Sequence, residues 1–287
     1  MNIKVIHEGK EIHINGASSI TNPHDNTVMF VGKKCAESIQ KLMVFHSCLV
    51  FVLDSIDVPK VLFDQHIIEK SDNPRKAFGK FLEENKAEEL PPTDYKNING
   101  ALISVDAKIG KNTIIMPFAF IDRDVIVGDN CLIRSGARLL PHTFLGNNCV
   151  VHENVVLGTI GLAYEDEQRI PQLGGLKIGN NCAIGASTII ARGAIDNTVI
   201  GDYVAIDANC FVSHNDILED DVKVVGGSTL FGSVRIGKGT FVSGNSVIRN
   251  GLSIGRNAFV GMGAVVVKSV PDNTIVMGNP AHEKKEE

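Results

Sequence analysis

The chain has 287 residues with 28 basic and 33 acidic side chains, a formal net charge of −5, and length enough for one or two domains with buried cores. Its basic residues are scattered, which argues against a nucleic-acid partner. The longest apolar stretches, around residues 28–31 and 48–53, are too short to span a bilayer. Residues 1–7 lack the charged-then-apolar layout of a secretory signal. The expectation is therefore a cytoplasmic protein without a membrane span.

Residues 1–97 show no regular repeat. Residues 3–6 and 11–14 read as a short hairpin, with Glu8, Gly9 and Lys10 near the turn. Residues 28–31 and 49–53 read as strands around a helix near 36–43. Asn73 and Pro74 then open a second helix over 75–84, with Ala77, Phe78, Phe81 and Leu82 on one face. The acidic, proline-containing segment 86–97 reads as a linker, so residues 1–97 form a small α/β domain.

From Ile103 an aliphatic residue falls on every sixth position without a break to Leu157. The spacing resumes at Ile178, Ile184 and Ile190, and again from Ile200 to Val266, giving 25 hexads. A period of six fits neither a helix nor a half-buried strand. It fits a solenoid of very short strands and tight turns, three hexads per coil, with one inward aliphatic on each side of a triangular prism. The fold class expected is mainly β, a parallel β-helix over residues 98–270, followed by a C-terminal tail, 271–287, with no long helical segment. The segment 158–177 is too long for one hexad and must leave the prism as a loop, a natural place for a binding site. A second break, 191–199, adds four residues. Cys131, Cys149, Cys182 and Cys210 each lie two places before an inward aliphatic, where a buried thiol serves as a small hydrophobe.

A coil of about 18 residues stacks His214, Gly232, Asn250 and Lys268 in one column. That order suits acyl transfer. An imidazole accepts a proton near neutral pH, the uncovered N–H of a glycine can donate to an oxyanion, and an amide and an ammonium line the path of a phosphate-bearing thioester arm. Asp207, seven residues before His214 and beside inward Ile206, is placed to reach round the corner and orient the imidazole.

A family resemblance rests on Gly161-Leu-Ala-Tyr164, Arg169-Ile-Pro-Gln-Leu-Gly174, Ile184-Gly-Ala-Ser-Thr188, Arg192-Gly-Ala-Ile-Asp-Asn-Thr198, Ser213-His-Asn215 and Val225-Gly-Gly227. In order and nearly without gaps, these resemble the UDP-3-O-acylglucosamine N-acyltransferases of lipid A synthesis. Phe30-Val-Gly32 and Asp72-Asn-Pro-Arg-Lys-Ala-Phe78 extend the similarity into the N-terminal part. The resemblance implies a homotrimeric, left-handed β-helix with active sites between subunits and His214 as catalytic base. Asp207 and Gly232 fall where that family is expected to carry its base-orienting carboxylate and oxyanion amide. The C-terminal stretch from Phe259 to Pro271 and Met277-Gly-Asn-Pro-Ala281 is similar instead to acyl-CoA-dependent nucleotide-amino-sugar N-acyltransferases.

Four departures bear on substrate. The lipid A enzymes carry a second histidine at the place of Gly251, uracil-binding residues at the places of Ala36 and Lys33, and an aspartate at the place of Ala191. Their C-terminal helices, which dock the carrier protein, have no counterpart here. The resulting expectation is an N-acyltransferase that moves an acyl group from coenzyme A to the amine of a UDP- or dTDP-linked deoxyamino sugar. Gly232, Asn250 and Lys268 would bind the coenzyme A thioester. Phe30, Tyr164, Gln172 and Asn215 would bind the nucleotide sugar. No metal is expected, since the solenoid lacks the paired histidines of the hexapeptide carbonic anhydrases. The alternatives are the lipid A reaction itself with a carrier-protein donor, acylation of a hydroxyl or a free sugar, and a catalytically silent hexapeptide scaffold.

Overall fold

The computed structural model describes residues 2–7 and 9–284. Contacts divide the chain into two units, Met1–Leu90 with Leu162–Leu173, and Pro91–Gly161 with Gly174–Glu287.

In the first unit β1 (Ile3–His7) and β2 (Lys10–Ile14) form the expected antiparallel hairpin; Glu8 of its turn lies outside the described residues. Strands β3 (Gly16–Ala17), β4 (Thr27–Val31), β5 (Leu49–Leu53) and β6 (Ile67–Ser71) make a parallel sheet in chain order. The helix expected near 36–43 is a run of 3₁₀ turns over Lys33–Val44. A short helix, α1 (Lys60–Gln65), links β5 to β6. Helix α2 (Pro74–Glu84) begins where the sequence predicts, with the Asn73 side chain accepting the Lys76 N–H at 3.1 Å and proline in the first turn. Alternation along the strands separates two cores. Phe30 and Phe51 pack on Phe78 and Phe81 of α2, while Met29, Val31, Val50 and Val52 bury with Leu42 and Leu62.

The ejected loop belongs to this first unit. Tyr164–Glu165 and Gln168–Arg169 pair antiparallel, and the hairpin lies along α2. Arg75 meets Glu165 at 2.8 Å, Gln168 donates to Glu83 at 2.7 Å, and Glu88 takes both Arg169, at 2.5 Å, and the Gln172 N–H, at 2.9 Å. Gly79 makes the close approach possible: a Cβ there would stand 2.4 Å from Cδ1 of Ile170.

The second unit is the prism. Each of the 25 periodic aliphatics sits on its own strand, and the strands form three parallel sheets. Sheet I contains Ala101–Ser104 and Phe211–Val212, sheet II Lys108–Ile109 and Ile217–Leu218, and sheet III Ile114–Ile115 and Lys223–Val224. The chain winds from I to II to III. Regular coils pair residues 18 apart, as Ile103 with Ile121; the two breaks pair Leu145 with Ile178 and Ile178 with Ile200. The winding runs past the predicted start of the tail. Val270 bridges to Ile254, and Ile275–Met277 joins sheet III beside Phe259–Val260. The strict period ends earlier because this last turn is two residues shorter. The final residues of the predicted tail, 285–287, lie outside the described residues.

Inward aliphatics and the four predicted cysteines form one continuous core. Each corner has its own chemistry. At the II–III corner, side-chain oxygens cap amides of the preceding coil: Asp129 accepts from Lys111 at 2.6 Å, Asn147 from Asp129 at 2.8 Å and Asn180 from Asn147 at 2.9 Å. The III–I corner is rich in small residues, Gly226, Gly227, Gly244 and Gly261 among them. The I–II corner holds both breaks in the period and His214.

Candidate active site

His214 stands in the I–II turn between Phe211–Val212 and Ile217–Leu218. Register pairs Phe211 with Thr229 and Thr229 with Val247, so Gly232 and Asn250 follow His214 in column, as the spacing predicts. The Ser233 N–H donates to the His214 carbonyl at 2.9 Å, and the Gly251 N–H to the Gly232 carbonyl at 3.0 Å. A Cβ on Gly232 would lie 3.2 Å from both Cε1 and Nε2 of the imidazole, so the ring edge faces the bare α-carbon. Gly232 and Ser233 are both left-handed, at φ +37° and +59°, a conformation glycine adopts without steric cost. Among the described residues no acceptor takes the Gly232 N–H. Lys268 comes one coil after Asn250, in the shortened turn, and is exposed.

The partner of His214 is Asn215. Its left-handed backbone, at φ +62°, turns the amide back toward the ring, and Oδ1 lies 3.0 Å from Nδ1 of His214. Two further bonds fix which end of that amide faces the ring. Oδ1 also accepts the Ala194 N–H at 3.1 Å, while Nδ2 donates to the Asp196 carbonyl at 2.8 Å. The atom beside the ring is therefore an acceptor. Nδ1 must carry the proton, and Nε2, on the edge toward Gly232, keeps its lone pair. The four residues added at the second break thus hold Asn215, which holds the base.

The expected bond from Asp207 is not made within the chain. Seven residues cross one whole side of the prism, so Asp207 lies on the III–I corner and His214 on the I–II corner. The Asp207 carboxylate accepts instead from Ala208 at 2.8 Å and Gly226 at 3.2 Å. It lines a cavity of about 340 Å³ on sheet III with His152, Ala183, Ala205, Lys223 and Phe241. Asn215, expected to bind substrate, is the imidazole's orienting group. In the first unit Phe30 is half-buried against Phe78, with ring centroids 5.2 Å apart. Tyr164 is half exposed, whereas Gln172 is only 1% exposed, so the Gln172 side chain is withdrawn from solvent.

Two acids at this corner escaped sequence reasoning. Asp216 is fully buried, and burial pushes its carboxyl up to about 8 against the pull of the Val234 and Ser213 amides. Three turns before His214 on the same corner, Asp124 Oδ2 lies 2.5 Å from His142 Nδ1, and Oδ1 accepts the His142 N–H at 2.8 Å. Their spacing of 18 was the available signal.

Comparison with known proteins agrees with this architecture. The family model for bacterial transferase hexapeptides (six repeats) matches residues 106–141, and that for the hexapeptide repeat of succinyl-transferase matches 124–159, 175–214 and 233–268. Within the prism, the repeats these models describe cover residues 106–159, 175–214 and 233–268. The gap between matched segments at 160–174 takes in the whole ejected hairpin.

UDP-3-O-acylglucosamine N-acyltransferase of Shewanella denitrificans is 40% identical over 89 residues, covering 30% of this chain and 26% of the relative. The enzyme of that name from Delftia acidovorans is 34% identical over 131 residues, covering 44% and 39%. These matches span between a quarter and two fifths of the relatives' length. Among solved structures, the UDP-N-acetylglucosamine acyltransferase LpxA of Bacteroides fragilis matches with a TM-score of 0.61 at 25% identity, over 65% of this chain and 73% of that one. LpxA of Acinetobacter baumannii matches with a TM-score of 0.61 at 28% identity, over 65% and 72%. The hexapeptide prism is the left-handed parallel β-helix that the resemblance implied.

Proposed function

We propose that this protein is an N-acyltransferase that carries an acyl group from coenzyme A to the amine of a UDP- or dTDP-linked deoxyamino sugar. The observation that carries the reading is the His214 imidazole, held by Asn215 with its basic nitrogen toward Gly232. In the reaction, Nε2 of His214 takes a proton as the sugar nitrogen attacks the thioester carbonyl and the C–N bond forms. The Gly232 N–H donates to the oxyanion. Nδ1–H remains bonded to Asn215, which stabilises the imidazolium. Collapse breaks the C–S bond, and the imidazolium returns its proton to the departing thiolate.

Asn250 and Lys268 continue the column past Gly232, along the path proposed for the pantetheine arm and its phosphates. The named relatives act on UDP-linked glucosamine derivatives, which supports a nucleotide-sugar acceptor. Phe30 is the proposed stacking surface for the base, a contact worth about 1–3 kcal/mol. Tyr164 is proposed to border the sugar or acyl group. Where the resemblance has a second histidine, Gly251 opens onto space, with no atom within 4 Å of an added Cβ; this favours altered recognition over altered chemistry.

A homotrimer is part of the proposal. Leu102 and Ile189 on sheet I, and Ile114, Phe241 and Phe259 on sheet III, are more than a third exposed. Sheet II mixes exposed Ile126 and Phe144 with Lys108, Lys177 and Arg235. Two apolar faces meeting at a small-residue corner suit self-association. Asp207, in its groove on sheet III, would then face a neighbouring copy, where it can serve that copy's base.

The test supplies acetyl-coenzyme A with UDP- and dTDP-linked amino sugars, and follows thiol release and acceptor mass. Amide product from coenzyme A supports the reading. Product only from a carrier-protein thioester would move it to the lipid A reaction, and product only from hydroxyl acceptors to O-acylation. Failure to consume any thioester would leave a binding scaffold.

A further inference from the structure

We infer that Asp216 is a positioning residue that ties the turn carrying His214 to the turn carrying Gly232. Its side chain points into the prism and is 0% exposed. Oδ2 accepts the Ser213 N–H at 3.0 Å, and Oδ1 accepts the Val234 N–H at 2.8 Å. Ser213 immediately precedes the base, and Val234 lies two residues after the oxyanion glycine. One carboxyl group therefore grips both turns from beneath.

The rest of the solenoid shows why this is more than a coil-to-coil cap. Elsewhere the side chain at the same inward position accepts the amide of its counterpart one coil later. Thr113 does so for Cys131 at 3.0 Å, Thr188 for Cys210 at 3.0 Å and Thr240 for Ala258 at 3.1 Å. Those hydroxyls also donate forward to a carbonyl, as Thr240 does to Gly255 at 2.6 Å. Asp216 makes the same contact to Val234, but its second oxygen turns back to Ser213. Other coils satisfy this position with threonine, serine, cysteine, valine, leucine or alanine; Asp216 alone is an acid there. Burying a carboxyl group among aliphatics is unfavourable unless its hydrogen bonds are made. The single place where the solenoid does so is the turn that bears the imidazole. A second acceptor at this point fixes the spacing between Nε2 of His214 and the Gly232 amide, a separation on which acyl transfer depends steeply.

The catalytic consequence rests on the acyl-transfer reading; the tether itself does not. The test uses the full chain with Asp216→Val, which matches Val234 in the same column, and Asp216→Asn, which keeps one acceptor oxygen. With acetyl-coenzyme A and the productive amino-sugar nucleotide, Asp216→Val is expected to lower kcat about 10-fold with KM for both substrates changed less than about 2-fold, and Asp216→Asn to recover part of the loss. In nitrogen-15 histidine spectra of the unliganded protein, wild type is expected to hold His214 as the single Nδ1–H tautomer and Asp216→Val to show a mixture. Wild-type kcat and a single tautomer in a folded variant would overturn the proposal. If Asp216→Val fails to fold, Asp216→Asn carries the same comparison. If wild type turns over no thioester, the acyl-transfer reading fails by itself, and an unchanged tautomer in the variants then overturns the tether.

Discussion

At Gly232 two constraints act on a single α-carbon. Its φ of +37° disfavours any L side chain, and a Cβ would press on the imidazole at 3.2 Å. Gly232→Ala is therefore expected to cut turnover 10-fold or more while the prism stays folded, as steady-state kinetics beside a melting curve would report. Unchanged kinetics would mean that the ring does not use that edge. Asn215→Ala removes the acceptor that fixes the tautomer and the tie to the 191–199 insertion, and should cost about 10-fold or more in kcat, with thioester KM nearly constant. Asp216 makes a pH prediction. Its folded carboxyl titrates near 8, above the usual carboxylate range, because it is buried. The native state then binds a proton more tightly than the unfolded chain, so stability falls as pH rises from about 4 toward 8. Chemical denaturation across that range should show this slope, and Asp216→Val should flatten it; a slope of equal size in the variant would assign the effect elsewhere.

The hairpin and α2 show what an element owes to a glycine. Alanine is the better helix former by about 1 kcal/mol, yet Gly79→Ala should lower the melting temperature, since its methyl would collide with buried Ile170. A raised melting temperature would show that the hairpin can lift from the helix without cost. At this scale the sequence was legible where structure repeats or is capped locally. Every counted aliphatic became a strand, and Asn73–Pro74 marked the helix start. The spacing also showed that residues 158–177 leave the prism. It could not show where they go, because that docking is made by Arg75, Glu88 and Gly79, far away in sequence and without period. Strand β6 was missed because its half-charged Glu69 and Lys70 conceal two buried isoleucines. In the site, the 18-residue ruler placed Gly232 over His214 correctly. It could not show Asn215 bending back to its neighbour, which depends on a left-handed backbone, nor that seven residues carry Asp207 to another corner.

For the whole molecule, the exposed apolar faces make the assembly testable. Phe241 and Phe259 stack on sheet III, their centroids 5.6 Å apart, and both are 39% exposed. Phe241→Asp places a charge on a face proposed to be covered by a second copy. Light scattering should find wild type at three times 30.9 kDa and the variant shifted toward the monomer. A wild-type monomer would remove sheets I and III as interfaces. The central claim is that His214 is the base of an acyl transfer, and its most direct measurement is the rate of thiol release from acetyl-coenzyme A in the presence of the amino-sugar nucleotide. His214→Ala is predicted to slow that rate on the order of 100-fold or more with assembly and melting temperature unchanged. A variant that releases thiol at the wild-type rate would contradict the account.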